Sequence, residues 1–135
     1  MDYSPGLRGV VAGETAISTV GKEGTSLRYR GYDATDLTSN NTYEEVAALI
    51  LTDSLNDKNF KKSFSKYYLE TIKDIKLNEL LLEIKEKLHP MDVVRTIVSY
   101  KGELTTLRKK SLDIEDKTEL SARISAIVCY IIASY

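Results

Sequence analysis

Residues 120–135 constrain this chain more than any other stretch. Leu120, Ile124, Ile127, Val128, Ile131, Ile132 and Tyr135 recur at three- and four-residue intervals, the spacing of one face of a helix. Cys129, Tyr130 and Ala133 widen that stripe until the final two turns are apolar on nearly every side, and a helix apolar all round has to be enclosed. Each Ile or Val left in water forgoes roughly 1.5–3 kcal/mol of burial, and a chain of 135 residues has little material with which to wrap its own end. The pattern predicts a helix over 116–135, capped by Asp116-Lys117-Thr118-Glu119. It also predicts burial against a second copy of the chain or against the rest of a larger protein. Ser121, Ala122, Ser125 and Ala126 are small enough for close helix approach, within one chain or between two.

The same period repeats upstream in shorter pieces. Thr42-Tyr43-Glu44-Glu45 sets a hydroxyl and a carboxylate three residues apart, as a capping box requires. Val46, Ala47, Leu49 and Ile50 follow at helical spacing, predicting a helix from Tyr43 to Thr52. Residues 53–57 are polar and turn-prone. From Lys58 onward, Phe60, Phe64, Tyr67, Tyr68 and Ile72 line one side and Lys61, Lys62 and Lys66 the other, which makes an amphipathic helix. Aromatics among lysines can also stack on nucleic-acid bases, but the spacing here is that of core packing. Residues 77–88 form another predicted helix, with Leu80, Leu81, Ile84 and Leu88 inward, stopped where Pro90 disfavours helical geometry at His89.

Pro90 then opens a helix over 90–101, because proline at the first position gives up an N–H that has no partner there. Asp92 suits its positive end. Met91, Val94, Ile97 and Val98 make its expected stripe, and Gly102 is placed to end it in the left-handed conformation. Residues 103–115 have no clean period and read as a loop. Their run Arg108-Lys109-Lys110 reads as a solvated connection rather than an anion site.

Residues 9–37 follow a different rule. From 14 to 20, Thr15, Ile17 and Thr19 alternate with Ala16, Ser18 and Val20; from 25 to 30, Leu27 and Tyr29 alternate with Ser26, Arg28 and Arg30. Alternation of short or β-branched residues is the mark of a strand. Gly21-Lys22-Glu23-Gly24 between them offers two positions free to take positive φ, so a β-hairpin is expected. No helix N-terminus follows those glycines, which favours a turn over a phosphate cradle. Two strands alone are marginal in water, so Ile17, Leu27 and Tyr29 call for cover from the helices. Asp33-Ala34-Thr35-Asp36 offers an N-cap oxygen and an early carboxylate for a single turn ending near Asn40-Asn41. Residues 1–8, with Pro5-Gly6, read as an extended lead-in.

Composition narrows the function classes. Lys plus Arg number 19 and Asp plus Glu 20, a formal net charge of -1, so no basic excess exists to hold a nucleic-acid backbone or an anionic membrane. Neither partner is expected. The hydrophobic share of 42% and charged share of 29% are those of an ordinary globular chain. Cys129 is the one cysteine and sits in the apolar run IVCYII, which fits a buried small hydrophobe in a reducing, cytoplasmic setting. No charged n-region with an apolar stretch opens the chain, and no run approaches the ~18 apolar residues of a membrane span.

The search for chemistry returns absences. There is no GxGxxG, no Gly-rich loop ending in Gly-Lys-Ser/Thr, no CxxC and no His pair at ligand spacing. His89 is the only histidine. It could serve as an acid or base near neutral pH, and it could equally be a helix-entry residue bonded to local backbone. One histidine is too few for a relay. No catalytic, cofactor-binding or metal-binding residue is assigned to this stretch.

Two blocks nevertheless carry a resemblance. GVVAGETAIS, Gly-Lys-Glu-Gly and LRYRGYDATDL in residues 9–37, followed by HPMDVVRTIVS in residues 89–99, resemble the start of bacterial and archaeal citrate synthases and 2-methylcitrate synthases. The resemblance implies that the chain covers about the first third of a family member. It implies the N-terminal portion of a large domain, mainly α with an N-terminal β-hairpin and about five helices, 9–37 forming the hairpin and first turn and 42–135 the helical part. It further implies a homodimer with helices 90–101 and 116–135 at the subunit interface. The implied reaction condenses acetyl-CoA or propionyl-CoA with oxaloacetate, with acyl-CoA as a substrate and no metal or redox cofactor. An Asp base, a His that steadies the enol and carboxylate-holding arginines carry that reaction in the family, because a weakly acidic C–H needs both a placed base and a donor aimed at the developing oxyanion. Those residues belong to family segments with no counterpart in these 135 residues, and His89 falls in the His-Pro-Met segment, a structural landmark. The stretch alone is therefore expected to be inactive. A free-standing helical dimerisation or interaction module without enzymatic activity is the other reading.

Overall fold

Gly31 and Pro90 mark two of the chain's turning points, a strand reversal and a helix start. A computed structural model describes residues 9–11, 13–19, 26–101 and 114–135, the first two residues of the last segment as backbone only. The chain divides into two compact units, residues 1–40 and 41–135.

The first unit holds a three-stranded antiparallel sheet in the order β1 (Ser18–Thr19), β2 (Arg28–Tyr29), β3 (Tyr32–Asp33). Ser18 pairs with Tyr29 and Thr19 with Arg28; Arg28 then pairs with Asp33 and Tyr29 with Tyr32. The ladder is shorter than the expected strands over 14–20 and 25–30. One reason is local: the Thr15 hydroxyl accepts from the Ile17 N–H at 3.1 Å, an alternative to pairing that threonine offers its own backbone. The third strand was not anticipated. Arg30 and Gly31, at φ 48° and 87°, reverse the chain in two residues, the turn that matches strand twist. The expected turn at 21–24 lies outside the described residues. Ile17 and Leu27, expected to be covered, are 42% and 39% exposed, and Tyr29 is half-buried. Asp33 Oδ1 accepts from the Thr35 N–H at 2.8 Å and starts α1 (Ala34–Asn40), which runs about two turns rather than the single turn expected.

The second unit is helical: α2 (Tyr43–Thr52), α3 (Lys58–Ile72), α4 (Ile75–Ile84), α5 (Pro90–Tyr100) and α6 (Ile114–Ala133). Short polar side chains fix the starts. Glu45 closes its half of the capping box on the Thr42 N–H at 3.0 Å. Asp57 accepts from the Phe60 N–H at 2.9 Å and Asp74 from the Leu77 N–H at 3.0 Å. The Asp74 cap moves α4 two residues ahead of the expected 77–88. Its end also comes early, because the Lys87 and Leu88 N–H groups both bond the Ile84 carbonyl at 3.0 Å, leaving room for His89 to extend before Pro90. Leu88 is consequently 42% exposed rather than inward. The expected cap of the last helix, 116–119, lies inside α6, which begins at Ile114.

Two apolar clusters fill this unit. Leu77, Leu81, Val93, Ile97, Ile127 and Ile131 form one, between α4, α5 and α6. Ala48, Phe60, Phe64, Ala122 and Ala126 form the other, between α2, α3 and α6. Phe60, Leu77, Val93, Ile97 and Ile131 are fully buried, and each side chain of that kind contributes about 1.5–3 kcal/mol. One stripe is rotated from expectation and two lose cover at their ends. In α5 the buried pair is Val93 and Ile97, with Met91 65% exposed, because adjacent valines leave the phase of a short stripe undecided. Ile72 ends α3 at 42% exposed. In α6, Ala122 and Ala126 pack on α2 and α3 and Ile127 and Ile131 on α4 and α5, while Ile132 near its end and Tyr135 just beyond it stay 61% and 53% exposed. Asn78 ties three helices together, donating to the Ile72 carbonyl at 2.8 Å and accepting from the Tyr130 hydroxyl at 2.6 Å.

Candidate functional site

Helical spacing builds two openings on the 41–135 unit. In α3, Phe64, Ser65, Tyr68 and Leu69 share one side of the helix; Tyr43 and Glu44 face them from the first turn of α2, and Cys129 from α6. Together they line an open groove of about 450 Å³. Three of its residues belong to a run of rings that ends outside it at Tyr130: Tyr43 to Phe64 at 5.9 Å, Phe64 to Tyr68 at 6.1 Å and nearly parallel, Tyr68 to Tyr130 at 6.1 Å and edge-on. Such pairs add about 0.5–1.5 kcal/mol each beyond area burial. Burial pushes the Cys129 thiol above its ordinary range, and burial first, then the contact with Cys129, does the same to the Tyr43 hydroxyl. Both groups are therefore protonated at neutral pH, and a protonated thiol is a poor nucleophile.

The second opening, about 140 Å³, is polar and is lined by Tyr67, Glu70, Thr71, Asp74, Lys101 and Arg123, with Ile127 at its base. Lysine and aspartate are paired across it. Lys101 pairs with Asp74, holding the Asp74 carboxyl below the usual carboxylate range, with the Leu77 N–H adding to the effect. The Tyr67 hydroxyl donates to Glu119, and the Arg123 guanidinium lies 5.4 Å from the Tyr67 ring centre. Burial, then the Glu119 carboxylate, pushes Tyr67 up to about 12. The 71-position hydroxyl is spent on the Tyr67 carbonyl at 2.7 Å. This recess joins α3, the caps of α4 and α5, and α6.

His89 lines neither opening. It is exposed, the N-cap of α5, and its Nδ1 accepts from the Met91 N–H at 3.3 Å; of the two roles open to it, the structure supplies helix entry. Among the described residues no group of three or more His, Cys, Asp and Glu side chains is placed to hold a metal ion. Nor is any described helix long and apolar enough to cross a membrane. The run at 108–110, the turn at 21–24 and Gly102 lie outside the described residues. Sequence reasoning named Phe64, Tyr68 and Cys129 as core but missed that Tyr43, Ser65 and Leu69 complete a groove around them. The available signal was Leu69, an apolar residue one step off the aromatic stripe.

Comparison with known proteins adds what the geometry lacks. Residues 6–135 match the family model described as citrate synthase, C-terminal domain. The 2-methylcitrate synthase of Shewanella oneidensis is 42% identical over 127 residues, 93% of this chain and 34% of that protein. The citrate synthase of Mycolicibacterium smegmatis is 39% identical over 97 residues, 72% of this chain and 26% of that protein. The 2-methylcitrate synthase of Mycobacterium tuberculosis is 39% identical over 102 residues, 75% and 26% respectively. The chain thus spans between a quarter and a third of the length of these relatives.

Proposed function

Because the chain belongs to the citrate synthase family, we propose that it supplies the N-terminal portion of the large domain of an enzyme that condenses acetyl-CoA or propionyl-CoA with oxaloacetate, forming citrate or 2-methylcitrate in the cytoplasm. This stretch contributes scaffold and subunit contact, not the reacting groups. The observation that carries the reading is the match over 93% of the chain to 34% of a 2-methylcitrate synthase, joined to a sole histidine engaged as a helix cap. Condensation needs a base for the C–H proton and a donor at the enolate oxygen. A thiol and phenols raised by burial are no bases at neutral pH.

The subunit contact is proposed to be a second copy, through helices 90–101 and 116–135. Met91 and Tyr100 on α5, Ile132 on α6 and Tyr135 just past its end, each more than half exposed, support that reading. Ala122 and Ala126 do not belong to that seam, since α3 already covers them.

A chimera tests the functional reading. Residues 6–135 replace the matching stretch of the Shewanella oneidensis enzyme, and CoA thiol release is followed with either acyl-CoA and oxaloacetate. The chimera is expected to turn over, and the 135 residues alone to give no release. A folded but inert chimera, or clear turnover by the 135 residues, overturns the proposal.

A further inference from the structure

We draw no further inference here: the strongest candidate, the open apolar groove of Tyr43, Phe64, Tyr68, Leu69 and Cys129 between α2, α3 and α6, carries nothing because no feature of the structure shows what covers it and its lone thiol has no second group beside it that points to a ligand.

Discussion

Removing the Asp74 carboxylate separates two jobs that one side chain performs. Oδ1 caps α4 through the Leu77 N–H at 3.0 Å, and Oδ2 holds Lys101 at the end of α5, both side chains about one-quarter exposed. Losing an aspartate cap costs about 1 kcal/mol, and a pair this open to water adds about 0.5–1 kcal/mol. Asp74→Ala is therefore expected to cost about 1.5–2 kcal/mol, and Asp74→Asn, which still caps, only about 0.5–1 kcal/mol. For a unit of this size 1 kcal/mol moves Tm by about 4–8 °C, so the alanine variant melts about 6–16 °C lower.

The acid dependence has a definite sign. The folded carboxyl lies below its ordinary 3.8, so its stabilisation is present above that value and is lost as pH falls through the depressed folded value. Thermal melts followed by far-UV circular dichroism at pH 7 and at successively lower pH should show the gap between wild type and Asp74→Ala narrowing as the carboxyl protonates, toward the cap contribution that a neutral side chain still makes. Lys101→Gln should match Asp74→Asn, and the double variant should be no worse than either. Equal losses for the alanine and asparagine variants at pH 7, or a gap that acid leaves unchanged, would refute the assignment.

Three further perturbations have outcomes fixed by position. Ala126→Leu puts a branched chain where α6 meets α3 at a fully buried site and should cost about 1–3 kcal/mol in urea denaturation; a neutral result would mean the helices are not in close contact there. Glu45 is held at about 2 by Lys61, then by the Thr42 N–H and Asn41, so its contribution is present above about 4.5 and lost as pH falls from there through about 2. Glu45→Gln should flatten the stability profile across that window. Arg30→Asn gives the β2–β3 turn the Asn-Gly pair that positive φ favours, worth about 1 kcal/mol. The position-30 amide, bonded to the Ile17 carbonyl at 2.8 Å, should then exchange about fivefold more slowly, and unchanged or faster exchange refutes the strain argument.

Much of the helical part was legible because burial and period agree there. The spacing alone puts Phe60 and Phe64, Leu81 and Ile97, and Ile127 and Ile131 on inner faces, and all six are buried. Boundaries were less legible. Asp74 marks the start of α4, but its apolar run becomes periodic only from Leu77. Val93 against Val94 could not be resolved because α5 is three turns long and its stripe has only Ile97 to set the phase. The third strand is hidden because the reversal at Arg30-Gly31 takes only two residues and leaves no polar loop to see. The groove was hidden for another reason. A stripe says which side chains point the same way, not whether a neighbouring helix closes over them, and Tyr43 and Leu69 remain 55% exposed.

Both apolar clusters draw residues from one helix: Ala122 and Ala126 on one flank of α6, Ile127 and Ile131 on the other. A rotation or one-residue slip of that rod would strip two cores together, so α6 acts as a shared axle on which α2–α3 and α4–α5 are mounted. Melting of either pair loosens the bearing of its counterpart. The 41–135 unit is built to come apart in a single cooperative event even though its interior is split in two.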